Sequence, residues 1–123
     1  MSGFKELEIY RRSYKASQAV YEMVKSYPEY EHRKGMADQM RRASLSIPMN
    51  IAEGYAKKES QADFKRFLLM ALGSANEMQA LLDFSKDVGY ISAERHAKAI
   101  AEYEEICKML NKFIQSVKKS SKI

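Results

Sequence analysis

Two histidines and one cysteine are the side chains of this sequence best suited to hold a metal or act as a nucleophile. A di-metal site in a helical bundle needs Glu-x-x-His on each of two helices, plus a Glu from each of the other two. Glu29-Tyr30-Glu31-His32 supplies that motif once, in a stretch that reads as a turn. His96 has Ala93 three residues before it, so the second copy is missing and the ligand set is incomplete. Cys107 falls on an apolar helical stripe, where a free thiol behaves as a small hydrophobe. Neither histidine is placed beside a nucleophile, and no glycine-rich phosphate loop occurs. These residues imply no enzyme, no metal and no cofactor.

Binding chemistry has better material. Tyr10, Tyr14 and Tyr21 alternate with Arg11, Arg12 and Lys15. Aromatics beside cations can stack bases and hold phosphates. The same spacing also suits a bundle core or an interface with hydroxyls at its edge, and it favours that reading. In "RRASLSIPMNIAEGYAKKES", Gln39 (just upstream), Arg42, Ser46, Asn50 and Glu53 share one narrow helical stripe beside Met36, Ala43 and Ile47. Arg42 and Glu53 are too far apart to pair, so they call for partners on another helix or another subunit. This polar seam reads as a register-fixing network or as a groove for a ligand or RNA. Arg11, Arg12, Arg41, Lys57, Lys58, Lys118 and Lys119 are the candidate phosphate contacts, with Lys34 and Lys122 nearby in the pattern. A solvated surface accounts for them equally well.

Four amphipathic segments must position these residues. The spacing predicts helices over 4–26, 30–57, 61–88 and 93–117, followed by a frayed basic tail at 118–123, all in one domain spanning 1–123. The expected core stripes are Leu7, Tyr10, Tyr14, Ser17, Tyr21 and Val24 in the first helix, and Ala97, Ile100, Tyr103, Cys107, Leu110 and Ile114 in the fourth. Ser60 and Ser92 read as N-caps and Gly89 as a C-terminal glycine. Pro48 interrupts the second segment at a cost of ~3 kcal/mol in an unsupported helix, which predicts a kink or two shorter helices. Gly54 is a second bend candidate. Gly73, in Gly73-Ser74-Ala75, reads as a point of close helix approach. Helices of this length span about 33–42 Å, and short connections make sequence neighbours antiparallel. The fold class is an all-α, up-and-down four-helix bundle.

The bulk numbers agree with that class. The chain has 123 residues, 46% of them apolar and 30% charged, with only five Gly and two Pro, which fits one helical domain with one core. The net charge of +5 permits binding to nucleic acid or to anionic surfaces. Residues 91–123 hold seven Lys or Arg against four Glu, whereas 61–90 hold three against four acids, so the excess sits toward the chain ends. A single cysteine rules out an intrachain disulfide. The longest apolar stretch, Phe67 to Ala75, falls short of the roughly 20 residues a membrane span needs. No apolar signal segment opens the sequence, so the expected location is the cytoplasm, with no membrane partner.

Longer blocks are familiar. "FKELEIYRRS", "QMRRASLSIPMNIAEGYAKKES", "DFKRFLLMALGSANEMQALL" and "GYIS" together resemble the bacterial four-helix-bundle proteins encoded in intervening sequences of 23S ribosomal RNA genes, often described as ribosomal-protein-like. Met49 stands where that family more often has Ser or Ala, and Met78 where it more often has Leu. The resemblance implies a homopentamer closing into a barrel-like ring, with a remote likeness to the accessory protein of diversity-generating retroelements, which works with nucleic acid. It also implies that Pro48 and Gly54 are fixed bends. It offers no catalytic residues to carry over. A ring of five would carry about +25, enough for a salt-sensitive phosphate interaction. The sequence thus predicts a non-enzymatic homo-oligomer that binds RNA or other nucleic acid through basic surface residues. The alternative is a scaffold for a protein partner with no nucleic-acid affinity of its own.

Overall fold

Helix ends form where backbone groups find partners outside the helix. The computed structural model describes residues 3–120 and the side chains of 3–117. It contains four α-helices: α1 (Glu8–Met23), α2 (Met36–Ala56), α3 (Gln61–Asp87) and α4 (Ala93–Ser120). Ser60 Oγ accepts the Asp63 N–H at 3.2 Å and Ser92 Oγ that of Arg95 at 3.1 Å, the two N-caps expected from sequence. Gly89, at φ 88°, closes α3. Its N–H bonds the Lys86 carbonyl while the Tyr90 N–H reaches the Ser85 carbonyl. α2 is capped from a distance, the Glu31 carboxylate accepting the Met36 N–H at 2.8 Å. A Cβ on Gly35 would lie 2.6 Å from the Glu31 Cα, so only glycine lets this turn fold against the helix start.

Each helix packs on its sequence neighbour and α4 returns to α1, while the diagonal pairs α1/α3 and α2/α4 do not meet among the described residues. Contacts run in opposite directions along adjacent helices. Ser46 of α2 meets Ser74 of α3, whereas Gly54, further along α2, meets Phe64 and Phe67, earlier in α3. This is the expected up-and-down four-helix bundle. The α1/α4 edge is the thinnest, and a bidentate ion pair bridges it, Arg12 to Glu102 at 2.8 and 3.2 Å.

The core runs the length of the bundle. Met40, Ile47, Ile51, Leu68, Leu82 and Ile106 are fully buried, and truncating any one of them would cost about 2–5 kcal/mol. α2 is one helix through Pro48, not two shorter ones. Pro48 is buried between Ile47 and Ile51 in sequence, so packing offsets its missing N–H bond. Tyr103 is also buried, and its hydroxyl has no hydrogen-bond partner among the described residues. That burial pushes the phenol well above its ordinary pKa.

Three expectations need correction. α1 departs in part from the predicted stripe: Ile9, Ser13, Ala16, Val20 and Met23 face the core beside the predicted Ser17 and Val24, and Tyr14 and Tyr21 are exposed. Small residues let α1 approach closely, which leaves the bulkier tyrosines at its outer edge. In α4, Ile106 takes the central position, Ala97 is exposed and Cys107 is only half-buried. Gly73 is exposed, with nothing within 4 Å of where a Cβ would stand, so it is no point of close approach within the subunit. That role belongs to Gly54, where a Cβ would meet the Phe67 Cβ at 2.9 Å. The side chains of Lys118 and Lys119, and residues 121–123, lie outside the described residues; the backbone at 118–120 belongs to α4.

Candidate nucleic-acid interface

A cation can meet a phosphate only if its donors are not already taken. Two of the predicted basic residues fail that condition. Arg12 is held by Glu102, and this hydrogen bond raises its pKa further. Arg41 donates to the His32 carbonyl at 3.1 Å and to His32 Nδ1 at 3.1 Å, with Asp38 at 3.9 Å. The other ring nitrogen, Nε2, lies 3.1 Å from the Tyr27 carbonyl. A carbonyl can only accept, so Nε2 carries the hydrogen and Nδ1 is free to accept from Arg41. Both arginines are structural clamps rather than free contacts.

Arg11, Lys57 and Lys58 remain on the surface. Arg11 donates to the Lys5 carbonyl at 3.2 Å and stays exposed. Lys57 and Lys58 leave the end of α2 beside the start of α3. Lys58 Nζ sits 4.3 Å from the centroid of the Tyr55 ring, and Arg66 4.6 Å from that of Phe67. Lys57 approaches the same Phe67 ring at 6.0 Å. Sequence reasoning missed Lys65, Arg66 and this use of Phe67. The clue was available: a four-residue turn puts "KK" at 57–58 and "KRF" at 65–67 at one end of the bundle. Phe64 and Phe113, 5.4 Å apart, bring the C-terminal part of α4 to the same end. An open depression of about 700 Å³ lies there, lined by Lys65, Arg66, Leu69, Met70 and Val117 together with Gln61, whose buried side-chain oxygen has no hydrogen-bond partner among the described residues. Glu53 and Asp63 stand beside Lys57 and Arg66 at 3.9 and 3.8 Å and trim the local charge without consuming it.

The polar seam is satisfied locally. Ser46 and Ser74 hydroxyls meet at 2.8 Å, and Asn50 Nδ2 donates to the Ser46 carbonyl at 2.9 Å and to its hydroxyl at 3.0 Å. The ends do not reach another helix. Arg42 pairs with Asp38 at 3.1 Å and Glu53 with Lys57, each one turn away, and Gln39 is exposed. The seam therefore locks α2 to α3 through one hydroxyl pair, and the expected unpaired ends are absent.

The residues first considered for catalysis are engaged in structure. His32 bridges Tyr27 and Arg41, and His96 meets Asp83 at 2.7 Å. Cys107 Sγ accepts from Gln79 at 3.3 Å and donates to Asn76 at 3.5 Å, and desolvation pushes its thiol pKa up. Among the described residues, no three His, Cys, Asp or Glu side chains gather closely enough to hold a metal ion, and no helix is long and apolar enough to cross a membrane.

No curated protein matches this sequence. A solved structure from Bacteroides thetaiotaomicron, a protein of unknown function from the S23 ribosomal protein family, is similar at a TM-score of 0.76 and 28% identity, covering 86% of this chain and 97% of that one. The family model described as 23S rRNA-intervening sequence protein matches residues 5–112. A match over that much of the chain, on a bundle with the helices its sequence blocks imply, means that this protein belongs to the 23S rRNA-intervening sequence protein family.

Proposed function

We propose that this protein is a non-enzymatic, cytoplasmic homo-oligomer, in the five-membered form its family resemblance implies, that binds structured RNA through the α2–α3 end of the bundle. The observation that carries this reading is the cation–aromatic cluster of Lys57, Lys58, Arg66, Tyr55 and Phe67. Ring faces hold the cations in place without neutralising them, and the half-buried rings offer edges and faces on which unpaired bases can stack. The family description, which refers to 23S rRNA, supports RNA over DNA as the first ligand to try. Repetition of the cluster around a ring would multiply phosphate contacts, so affinity would fall steeply with salt.

The test is binding of the purified protein to a labelled structured ribosomal RNA fragment at several salt concentrations. Lys57→Ala/Lys58→Ala should weaken binding and reduce the salt slope by about 1 for each phosphate interaction removed. Absence of binding by the wild-type protein at low salt would overturn the proposal. Exposed apolar side chains, among them Phe84, Met70 and Tyr14, favour a second reading, a scaffold that works through protein contacts alone. Pull-down of a protein partner together with no RNA affinity would favour it.

A further inference from the structure

α3 carries apolar residues on two sides, the outer set interrupted by Glu77. Its inner face carries Leu68, Ala71, Ala75, Met78 and Leu82 into the core. On the opposite side, Met70, Gly73, Glu77, Ala80, Phe84 and Val88 follow steps of three and four, the spacing of a helix-packing stripe, and all of them are exposed. Met70 is 47% and Phe84 54% exposed. This ridge is about 27 Å long at the helical rise, and among the described residues no element lies over it. Gly73, with open space where a Cβ would be, makes a notch in it.

A second apolar feature has the opposite shape. A groove of about 310 Å³ runs between α1 and α2, lined by Tyr14, Ser17, Gln18, Tyr21 and Leu45. Met49 continues it one turn along α2, exposed like the tyrosines. Because α1 and α3 stand on a diagonal, groove and ridge belong to different sides of the bundle.

We propose that the α1/α2 groove of one subunit receives the outer ridge of α3 from the next, so that copies of this chain join head to tail through two different faces. The inference rests on the homo-oligomeric reading above and names its interface. Shape is the first reason, a convex apolar stripe and a concave apolar slot on one chain. Charge is the second. The helices that flank the groove, over residues 8–25 and 36–56, carry six cations, of which Arg12 is held by Glu102, and four carboxylates, whereas residues 70–88 carry one cation and three carboxylates. Groove against ridge sets opposite charge together, and ridge against ridge sets like charge together. Two unlike faces on one subunit generate rings or open filaments rather than two-fold dimers.

The experiment uses the full chain and light scattering after size exclusion. Leu45→Glu spoils the groove and Phe84→Glu the ridge. Each variant should run as a single subunit of 14.2 kDa with wild-type helicity. Mixed in equal amounts, they should form a species of twice that mass, because each retains the face the other lacks. Met49→Glu and Met70→Glu, also at exposed positions, form a second pair should either first variant misfold. A wild-type oligomer whose mass none of the variants changes would overturn this interface and leave oligomerisation standing. Monomeric variants that stay monomeric when mixed would overturn the two-face arrangement. A monomeric wild-type protein would overturn the homo-oligomeric reading itself, and this interface with it.

Discussion

The two ends of α2 are both rich in charge, yet they handle it in opposite ways. At the N-terminal end the charged groups nearest the helix are tied to the fold. Glu31 caps the Met36 N–H and accepts the Tyr90 hydroxyl at 2.6 Å, and Arg41 holds His32 across the preceding turn. At the C-terminal end Lys57, Lys58 and Arg66 rest on ring faces, and the carboxylates beside Lys57 and Arg66 are loose, solvent-exposed partners at 3.9 and 3.8 Å. What separates them is backbone. The twelve-residue connection, despite two short 3₁₀ turns, leaves the Tyr27 and His32 carbonyls and the Met36 N–H to charged or titratable side chains, whereas the four-residue turn between α2 and α3 needs only its backbone and the Ser60 hydroxyl. A cation beside a long turn becomes mortar, and one beside a short turn stays available.

The contrast can be broken most severely at Gly35. Gly35→Ala would drive a methyl into the Glu31 backbone and should cost about 3 kcal/mol, the upper end for overpacking. Urea unfolding measures it, and a change below about 0.5 kcal/mol would mean that the turn yields freely. Arg41→Ala should cost about 1–2 kcal/mol, by removing its hydrogen bonds to His32, with RNA binding unaltered. Lys58→Ala should do the reverse, weakening RNA binding with unfolding unchanged. Equal effects of the two on RNA binding would erase the distinction between the ends.

Acid sharpens the comparison further. The Met36 N–H, and after it the Tyr90 hydroxyl, holds the Glu31 carboxyl below the usual carboxylate range. A group whose folded pKa is lowered stabilises the fold above its unfolded value and loses that contribution as pH falls through the folded value. Stability should therefore decline below the ordinary carboxylate range, and Glu31→Gln should flatten that decline while its amide oxygen still caps α2. Thermal melts from neutral to acid pH would check it. The smallest change belongs to neither end. Tyr103→Phe removes a buried hydroxyl with no partner among the described residues and should raise stability by about 1 kcal/mol.

Local physics was legible in the sequence. The four helices, the caps at Ser60 and Ser92 and the glycine stop at Gly89 depend on neighbours within a turn, and those neighbours are written side by side. The facing of α1 was legible only in part. Two interleaved stripes have nearly the same period, one with tyrosines and one with Ile9, Ser13, Ala16 and Val20, and a hydrophobicity pattern favours the larger side chains over the small ones that allow close packing. Pairing across the bundle was equally hidden. Arg12 finds Glu102 ninety positions away, so nothing in its own neighbourhood separates it from Arg11. The middle of the polar seam could be read because Ser46 and Asn50 sit one turn apart. Its link to Ser74 could not, since it depends on how α2 and α3 meet.

The two-sided character of α3 also bears on how the chain folds. A helix with apolar residues on opposite faces has two rotations to choose between, and here the reversed one would bury the Glu77 carboxylate. Hydroxyls reinforce that choice. Only the native rotation pairs Ser74 with Ser46 at 2.8 Å and gives the Tyr27 hydroxyl its 2.7 Å contact with the buried Ser85. The reversed rotation would leave buried Tyr27 without Ser85 and would turn Phe84 inward in its place. These two short side-chain bonds, near the middle and the far end of α3, add a directional key to the bias that Glu77 already sets.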